Sequence, residues 1–224
     1  MRFSLICLAL MGLPGIADAG AWARDKGETF ISNSYLIAAP PGDITAGIET
    51  YGSLYLEHGL GHGLTIGLDA GMDQLNRYTA FAFLRRSVGA AGAAQKFAVQ
   101  AGLGTTTGGG AAEYLLQLGA SWGHGLKTRF GPGWIAVDAS LLYHPERRDY
   151  AAKTDITLGV ATSERTKWIL QVQLGDYPGS DPYLRLSPSL ARRIGERTHI
   201  EIGAQIGVVG DNRVGLTLGT WLEF

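Results

Sequence analysis

From residue 28 onward, apolar and polar residues alternate with a period of two, and helical spacing is nearly absent. The clearest run is Leu64-Thr65-Ile66-Gly67-Leu68-Asp69-Ala70-Gly71-Met72. Leu64, Ile66, Leu68, Ala70 and Met72 fall on one face, and Thr65, Gly67, Asp69 and Gly71 on the other. Successive side chains of a strand point to opposite sides of a sheet, so this pattern predicts a ribbon with one apolar and one polar face.

The pattern recurs along the chain. Residues 46 to 56 set Ala46, Ile48, Leu54 and Leu56 against Glu49, Tyr51, Ser53, Tyr55 and Glu57. Residues 96 to 104 set Phe97, Val99, Ala101 and Leu103 against Lys96, Gln100 and Gly104. Residues 113 to 122 set Tyr114, Leu116, Leu118, Ala120 and Trp122 against Glu113, Gln117 and Ser121. In residues 133 to 143, Ile135, Val137, Ala139 and Leu141 oppose Asp138 and Ser140; in 153 to 161, Thr154, Ile156, Leu158 and Val160 oppose Lys153, Asp155 and Thr157. In 168 to 175, Trp168, Leu170, Val172 and Leu174 oppose Gln171 and Gln173; in 199 to 207, Ile200, Ile202, Ala204 and Ile206 oppose His199, Glu201 and Gln205. Residues 28 to 38 and 78 to 86 alternate imperfectly. Residues 183 to 192 carry Pro188, which removes a ladder donor and argues for an edge or a bulge.

Connectors of two kinds separate these segments. His58 to Gly63, Ser163 to Lys167 and Ile194 to Thr198 are short; Ala39 to Asp43, Thr105 to Ala112, His144 to Ala151, Tyr177 to Pro182 and Gly210 to Arg213 are richer in Pro, Gly and Asp. Residues 86 to 95 and 123 to 132 read as slightly longer connectors at the end that carries the termini. With a last strand running to Phe224, the count is twelve, an even number that leaves both termini at one end of a single domain spanning 20–224.

A soluble β-sandwich and a membrane barrel both alternate, so the character of each face decides. The apolar face is aliphatic across nearly every segment, and Trp122, Trp134, Tyr143, Trp168, Tyr183, Trp221 and Phe224 lie near strand boundaries. Aromatic girdles at both rims of an apolar band are what a bilayer interface selects. The polar face mixes small residues with charges of both signs, as a barrel lumen does. Its candidate lining is Glu49, Tyr51, Tyr55, Glu57, Asp69, Lys96, Gln100, Glu113, Gln117, Asp138, Lys153, Asp155, Gln171, Gln173, Arg185, Glu201 and Gln205. The last eight residues, Thr217-Leu218-Gly219-Thr220-Trp221-Leu222-Glu223-Phe224, resemble the β-signal by which outer-membrane proteins engage the barrel-assembly machinery. A strand is needed there, because in lipid the last strand must pair with the first. The expectation is an all-β, membrane-spanning, antiparallel up-and-down β-barrel of twelve strands.

The first residues agree. Arg2, the apolar run from Phe3 to Leu13, the break at Pro14-Gly15 and the small residues of Ala17-Asp18-Ala19 read as a signal peptide over 1–19, cleaved after Ala19. The run is well short of the roughly 20 residues of a spanning helix. The lone cysteine, Cys7, lies inside it, so the mature chain is expected to hold together without disulfides. Charged residues are only 17% and the net charge is −1, so there is no basic field to recruit nucleic acid.

Gly20-Ala21-Trp22 followed by Lys26-Gly27-Glu28, and the unit Tyr55-Leu56-Glu57-His58-Gly59-Leu60 with Leu64-Thr65-Ile66-Gly67, resemble a family of small proteobacterial outer-membrane barrels similar to phenol meta-pathway-type outer-membrane proteins. That resemblance implies transport in the outer membrane, with aromatic compounds as one class of solute.

Motifs for chemistry are sparse. His58 and His62 sit in a Gly-rich turn whose geometry does not aim both at one metal, and no further ligand accompanies them. His144, Glu146 and Asp149 could serve a rim enzyme, but Pro145-Glu146-Arg147-Arg148-Asp149 reads as a charge-balanced loop. Thr105-Thr106-Thr107-Gly108-Gly109-Gly110 lacks the Lys-Ser/Thr of a phosphate loop. No catalytic, cofactor or metal residue is therefore assigned. The function expected is a narrow monomeric channel, embedded in outer-membrane lipid, for passive uptake of small solutes, aromatic or hydrophobic ones included. The alternatives are a closed structural or surface-interaction barrel and, last, a rim enzyme. Protein recovered from outer membranes is expected to start at Gly20 by mass spectrometry and to migrate differently on gels before and after boiling; an intact residue 1 and heat-independent migration would contradict the barrel expectation.

Overall fold

The computed structural model describes residues 20–42, 47–89, 93–107 and 110–224; the predicted signal peptide, Asp43, Ala46 and Gly108-Gly109 lie outside these. Among the described residues, twelve strands make one closed antiparallel barrel in which each strand pairs with its sequence neighbours. They are β1 (Thr29–Ala39), β2 (Glu49–Gly61), β3 (Leu64–Asp73), β4 (Tyr78–Val88), β5 (Gln95–Thr106), β6 (Glu113–Thr128), β7 (Gly131–His144), β8 (Asp149–Ser163), β9 (Thr166–Asp176), β10 (Tyr183–Arg193), β11 (Thr198–Val209) and β12 (Val214–Glu223). The seam joins β1 to β12 from Phe30↔Glu223 to Ala39↔Val214, and Phe224 extends it through Thr29 N–H→Phe224 O at 2.6 Å. On the outside of the seam, Thr220 Oγ1 donates to Asn33 Oδ1 at 2.9 Å, so two polar groups on the lipid face satisfy each other.

Strands run longer and connectors shorter than the alternation predicts. The His58 to Gly63 connector contracts to His62-Gly63, both with positive φ (55° and 74°), the backbone of a type I′ hairpin turn. The expected connector over residues 123 to 132 is mostly strand, with Arg129-Phe130 as the turn. Gly123, Gly125, Gly131 and Gly133 hid it, because a residue without a side chain continues the backbone ladder while carrying no face signal. Pro188 is also a correction: β10 is an interior strand. Its ladder to β9 runs unbroken through Pro188↔Leu170, whereas the ladder to β11 passes from Leu186↔Ile206 to Ser189↔Gly203. The proline thus sits where a donor toward β11 is missing, and the register shift lies elsewhere, at Leu184/Arg185.

The expected faces are kept. Leu54, Ile66, Met72, Val99, Leu118, Leu141, Leu158, Leu170, Ile202 and Leu218 all project outward and are exposed, a continuous apolar surface far beyond what a soluble monomer tolerates. Trp168 and Phe224 stand exposed on this surface, Trp122 and Tyr143 share it, and Tyr114 and Tyr150 add to it. Trp134, Tyr183 and Trp221 do not belong to the girdle. They lie on the opposite parity of β7, β10 and β12 and point inward, Trp134 and Trp221 being buried. Nearness to a strand end does not place a ring on the lipid side; parity does.

The inward rings have a common support. A Cβ on Gly67 would collide with Phe83, one on Gly159 with Trp134, one on Gly175 with Tyr183 and one on Gly71 with Tyr51. Each ring therefore lies flat over a bare backbone on an adjacent strand, an approach only glycine allows. Together with Leu115, Leu142 and Ala151, Phe81 and Phe83 form a buried cluster flanked by Tyr55 and Tyr177, so the apolar core lies within the barrel, against β4 and β6–β8. Gly159→Val is expected to destabilise the barrel by about 1–3 kcal/mol through overpacking against Trp134. Gly125→Val, which meets nothing within 4 Å, should leave the urea midpoint of the same barrel unchanged.

Candidate functional site in the barrel lumen

The inward parity of the strands places all seventeen candidate residues on the lumen side, in three tiers. At the end with the longer connectors, Arg185 Nε bonds Asp211 Oδ2 at 2.7 Å, Arg213 Nε bonds Asp211 Oδ1 at 2.8 Å, and Arg213 also pairs with Glu49. Glu113 is drawn to the rim as well, 3.0 Å from Arg147 Nε. Tyr51 and Tyr183 face inward at this end, Tyr177 stacks on Tyr183 with centroids 6.2 Å apart, and the Arg185 guanidinium lies 4.2 Å from the Tyr183 centroid. Tyr177 stands just past β9; burial pushes its phenol up to about 12, so it stays a neutral hydroxyl.

The middle tier is a hydrogen-bonded network. Glu57, 1% exposed, accepts from Arg24 Nε at 2.8 Å, from the Arg85 guanidinium and from Tyr55 Oη at 2.6 Å. Arg85 also donates to Tyr55 Oη at 2.8 Å and to Gln100 Oε1 at 2.8 Å, and Gln100 Nε2 passes the chain on to Gln117 Oε1 at 2.7 Å. Lys153 Nζ lies 2.8 Å from Asp155 Oδ2 and within electrostatic reach of Asp69. On the far wall, Gln205 Nε2 reaches Gln173 Oε1 at 3.3 Å, Gln173 Nε2 reaches Gln171 Oε1 at 2.6 Å, and Gln171 Nε2 reaches Thr157 Oγ1 at 3.3 Å. A buried charge is tolerated only when paired and hydrogen-bonded, and Glu57 with its two arginines meets that demand.

At the end carrying the termini, the segment before β1 enters the barrel. Arg24 is buried against Glu57 on β2, its guanidinium 4.7 Å from the Phe30 centroid. Ala21 is 1% exposed, and a Cβ on Gly123 of β6 would run into Trp22 and Ala21. Gly20 reaches Ser121 on β6 and Asp138 on β7. The segment therefore crosses the lumen from the β2 wall to the β6–β7 wall. Glu201 accepts from Trp221 Nε1 at 2.9 Å close by, and Lys96 stands on the inward face at the start of β5.

Several of these residues were not in the candidate set. Arg85, Phe81 and Phe83 share the inward face of β4, but Arg86, Ala82 and Leu84 on its outer face give the strand no clear polarity. Arg24 precedes the first strand, where no alternation exists to assign a direction. Elsewhere the chemistry stays modest. His58 Nδ1 bonds Thr29 Oγ1 at 2.8 Å, and His144 Nδ1 lies 2.9 Å from Asp149 Oδ1. Glu146 accepts from the Tyr114 amide at 3.2 Å, and Arg147 Nε lies 3.6 Å from Asp149 Oδ2. Among the described residues no group of three or more His, Cys, Asp or Glu side chains converges for a metal ion.

No protein-family profile and no curated sequence matches the chain. Solved structures do. An outer-membrane channel from Pseudomonas putida F1 superposes with a TM-score of 0.59 over 94% of this chain and 100% of its own, at 12% identity. The NanC porin aligns at 0.57 over 87% of this chain and 100% of its own, at 11% identity. The KdgM porin aligns at 0.56 over 86% and 99%, also at 11% identity. At these identities the likeness is one of architecture: this chain shares the fold of small outer-membrane barrels. Removing Glu57 by Glu57→Ala leaves two buried arginines without their shared partner. It is expected to lower barrel stability by about 3–5 kcal/mol in urea titrations, while Glu49→Ala at the exposed rim should change it little.

Proposed function

We propose that this protein is an outer-membrane channel passing small solutes passively through a narrow lumen constricted by residues 20–27. The observation that carries this reading is the unequal filling of the barrel. Phe81, Phe83, Leu115 and Leu142 on one wall are buried against one another, whereas Ser32, Ser34, Ser53, Gln171, Gln173, Gln205 and Thr217 on the other keep access to water. A barrel packed solid would bury both walls. Barrels of about eight strands are filled by side chains and those of sixteen or more hold open water; twelve leaves room for a passage along one side. The porin and channel folds it resembles support the same reading, as do the apolar belt and the terminal strand ending at Phe224, through which the assembly machinery would insert a monomer into outer-membrane lipid.

Aromatic solutes fit the outer vestibule, where Tyr51, Tyr177 and Tyr183 present rings beside Arg185, in line with the resemblance to phenol meta-pathway-type proteins. A structural barrel is the competing reading, favoured by the Gly20 to Arg24 segment crossing the lumen. Planar-bilayer recording separates them. Discrete current steps are expected, with unit conductance rising roughly twofold or more when the chain starts at residue 28, because the constriction is lost. Electrical silence of both forms, each folded and heat-modifiable, would end the channel reading.

A further inference from the structure

Gly20, ahead of β1, lies inside the barrel against β6 and β7. A Cβ on Gly20 would collide with Asp138 Oδ1 and come 2.7 Å from Ser121 Oγ. The Gly20 Cα is therefore within about 3.5 Å of that carboxylate oxygen, one covalent bond from the Gly20 nitrogen. Ala21 and Trp22 against Gly123, and Arg24 on Glu57, hold it there from the other side. In the chain as translated this nitrogen is the amide of the Ala19–Gly20 bond, the bond at which the Ala17-Asp18-Ala19 motif predicts cleavage.

Asp138 lies among charges of both signs. Its hydrogen bond comes from the neutral Ser121 hydroxyl, and the cation whose charge reaches it, Arg85 on β4, is itself bonded to Glu57. Lys153 is bonded to Asp155, and both Asp155 on β8 and Glu57 on β2 add negative potential at Asp138. Among the described residues, Lys96 on β5 and Lys167 on β9 also face inward near this end of the barrel, each with an interaction of its own. A further positive group placed at Gly20 would complement a carboxylate that burial otherwise penalises.

We infer that removal of residues 1–19 creates that group: the new α-ammonium of Gly20 pairs with Asp138 and Ser121 and latches the terminal segment across the lumen. In the cleavage, water adds across the Ala19–Gly20 bond; Ala19 leaves as a carboxylate, and the Gly20 nitrogen takes up a proton to become –NH3+. The uncleaved amide offers one neutral donor, and the ammonium offers three charged ones. The interior is thus completed by maturation, and the latch does not depend on whether the barrel conducts. An ammonium stabilised in this way keeps its proton to higher pH. The pairing is complete below the ordinary α-amino range and is lost as pH rises through the elevated folded value.

The test is competitive labelling of the folded mature barrel (residues 20–224) in detergent micelles with an amine-selective acylating reagent across pH, read by mass spectrometry of the N-terminal peptide. An α-amine titrating at least about one unit above the ordinary range of roughly 7.7–8.0 is expected. Asp138→Asn should return it to that range or below, since burial without the partner moves an amine downward. Should that variant not fold, a chain starting at Ala19 shifts the ammonium by one residue and should likewise lose the elevation. A wild-type α-amine titrating at or below the ordinary range, or an elevated one indifferent to both changes, overturns the inference.

Discussion

A bilayer offers no water to backbone N–H and C=O groups, and this constraint organises the molecule. An open sheet would leave two unpaired edges in hydrocarbon, so β12 must find β1, and it does so along ten paired positions from Phe30↔Glu223 to Ala39↔Val214. Once the sheet closes, the parity of every strand acquires a meaning. One side faces acyl chains and the other an enclosed space. The lipid side needs only apolar bulk, which explains how Leu, Ile and Val recur there with little regard for partner. Where a polar residue does appear at the seam, as with Asn33, its neighbour Thr220 answers it.

The inner side faces a harder problem, because a ring of twelve strands encloses more volume than one layer of side chains fills. This chain solves it unequally. On the β4 and β6–β8 side, large groups are packed flat over glycines of neighbouring strands, and Tyr177 from the β9–β10 connector closes over them. The 33 glycines are therefore not merely turn residues: several are the floor on which inward rings lie. On the opposite wall, serines, a threonine and the Gln205–Gln173–Gln171 series keep the space polar. At the terminal end the space is occupied by residues 20–24, ahead of β1, which cross from Glu57 to Asp138.

Electrostatics fix that segment in place. Charges inside a low-dielectric barrel are costly alone and strong when paired. Glu57 gathers one arginine from the terminal segment and one from β4, joining a non-strand segment to the wall by a bond that water scarcely screens. On the proposed channel reading, the passage is narrowed by the seating of a short segment, not by a long loop folded in from outside. In the β7–β8 connector, Asp149 lies between His144 and Arg147, and Glu146 accepts from the Tyr114 amide.

Much of this was legible in the chain itself. Period-two alternation needs no tertiary information: it assigned the lipid face, placed all seventeen candidate residues on the inward parity and brought the count to twelve. It failed where side chains carry no contrast. Gly123 to Gly133 read as a connector, and β4, apolar on both faces, concealed Arg85 and the rings beside it. It failed also where boundary position was taken for direction, as with Trp134, Tyr183 and Trp221. Pairings across the interior were beyond reach, because Arg24 with Glu57 and Gly20 with Asp138 join residues far apart in sequence whose meeting depends on how closure curves the sheet. Local periodicity determines which way each side chain points; only the closed barrel decides what it meets there.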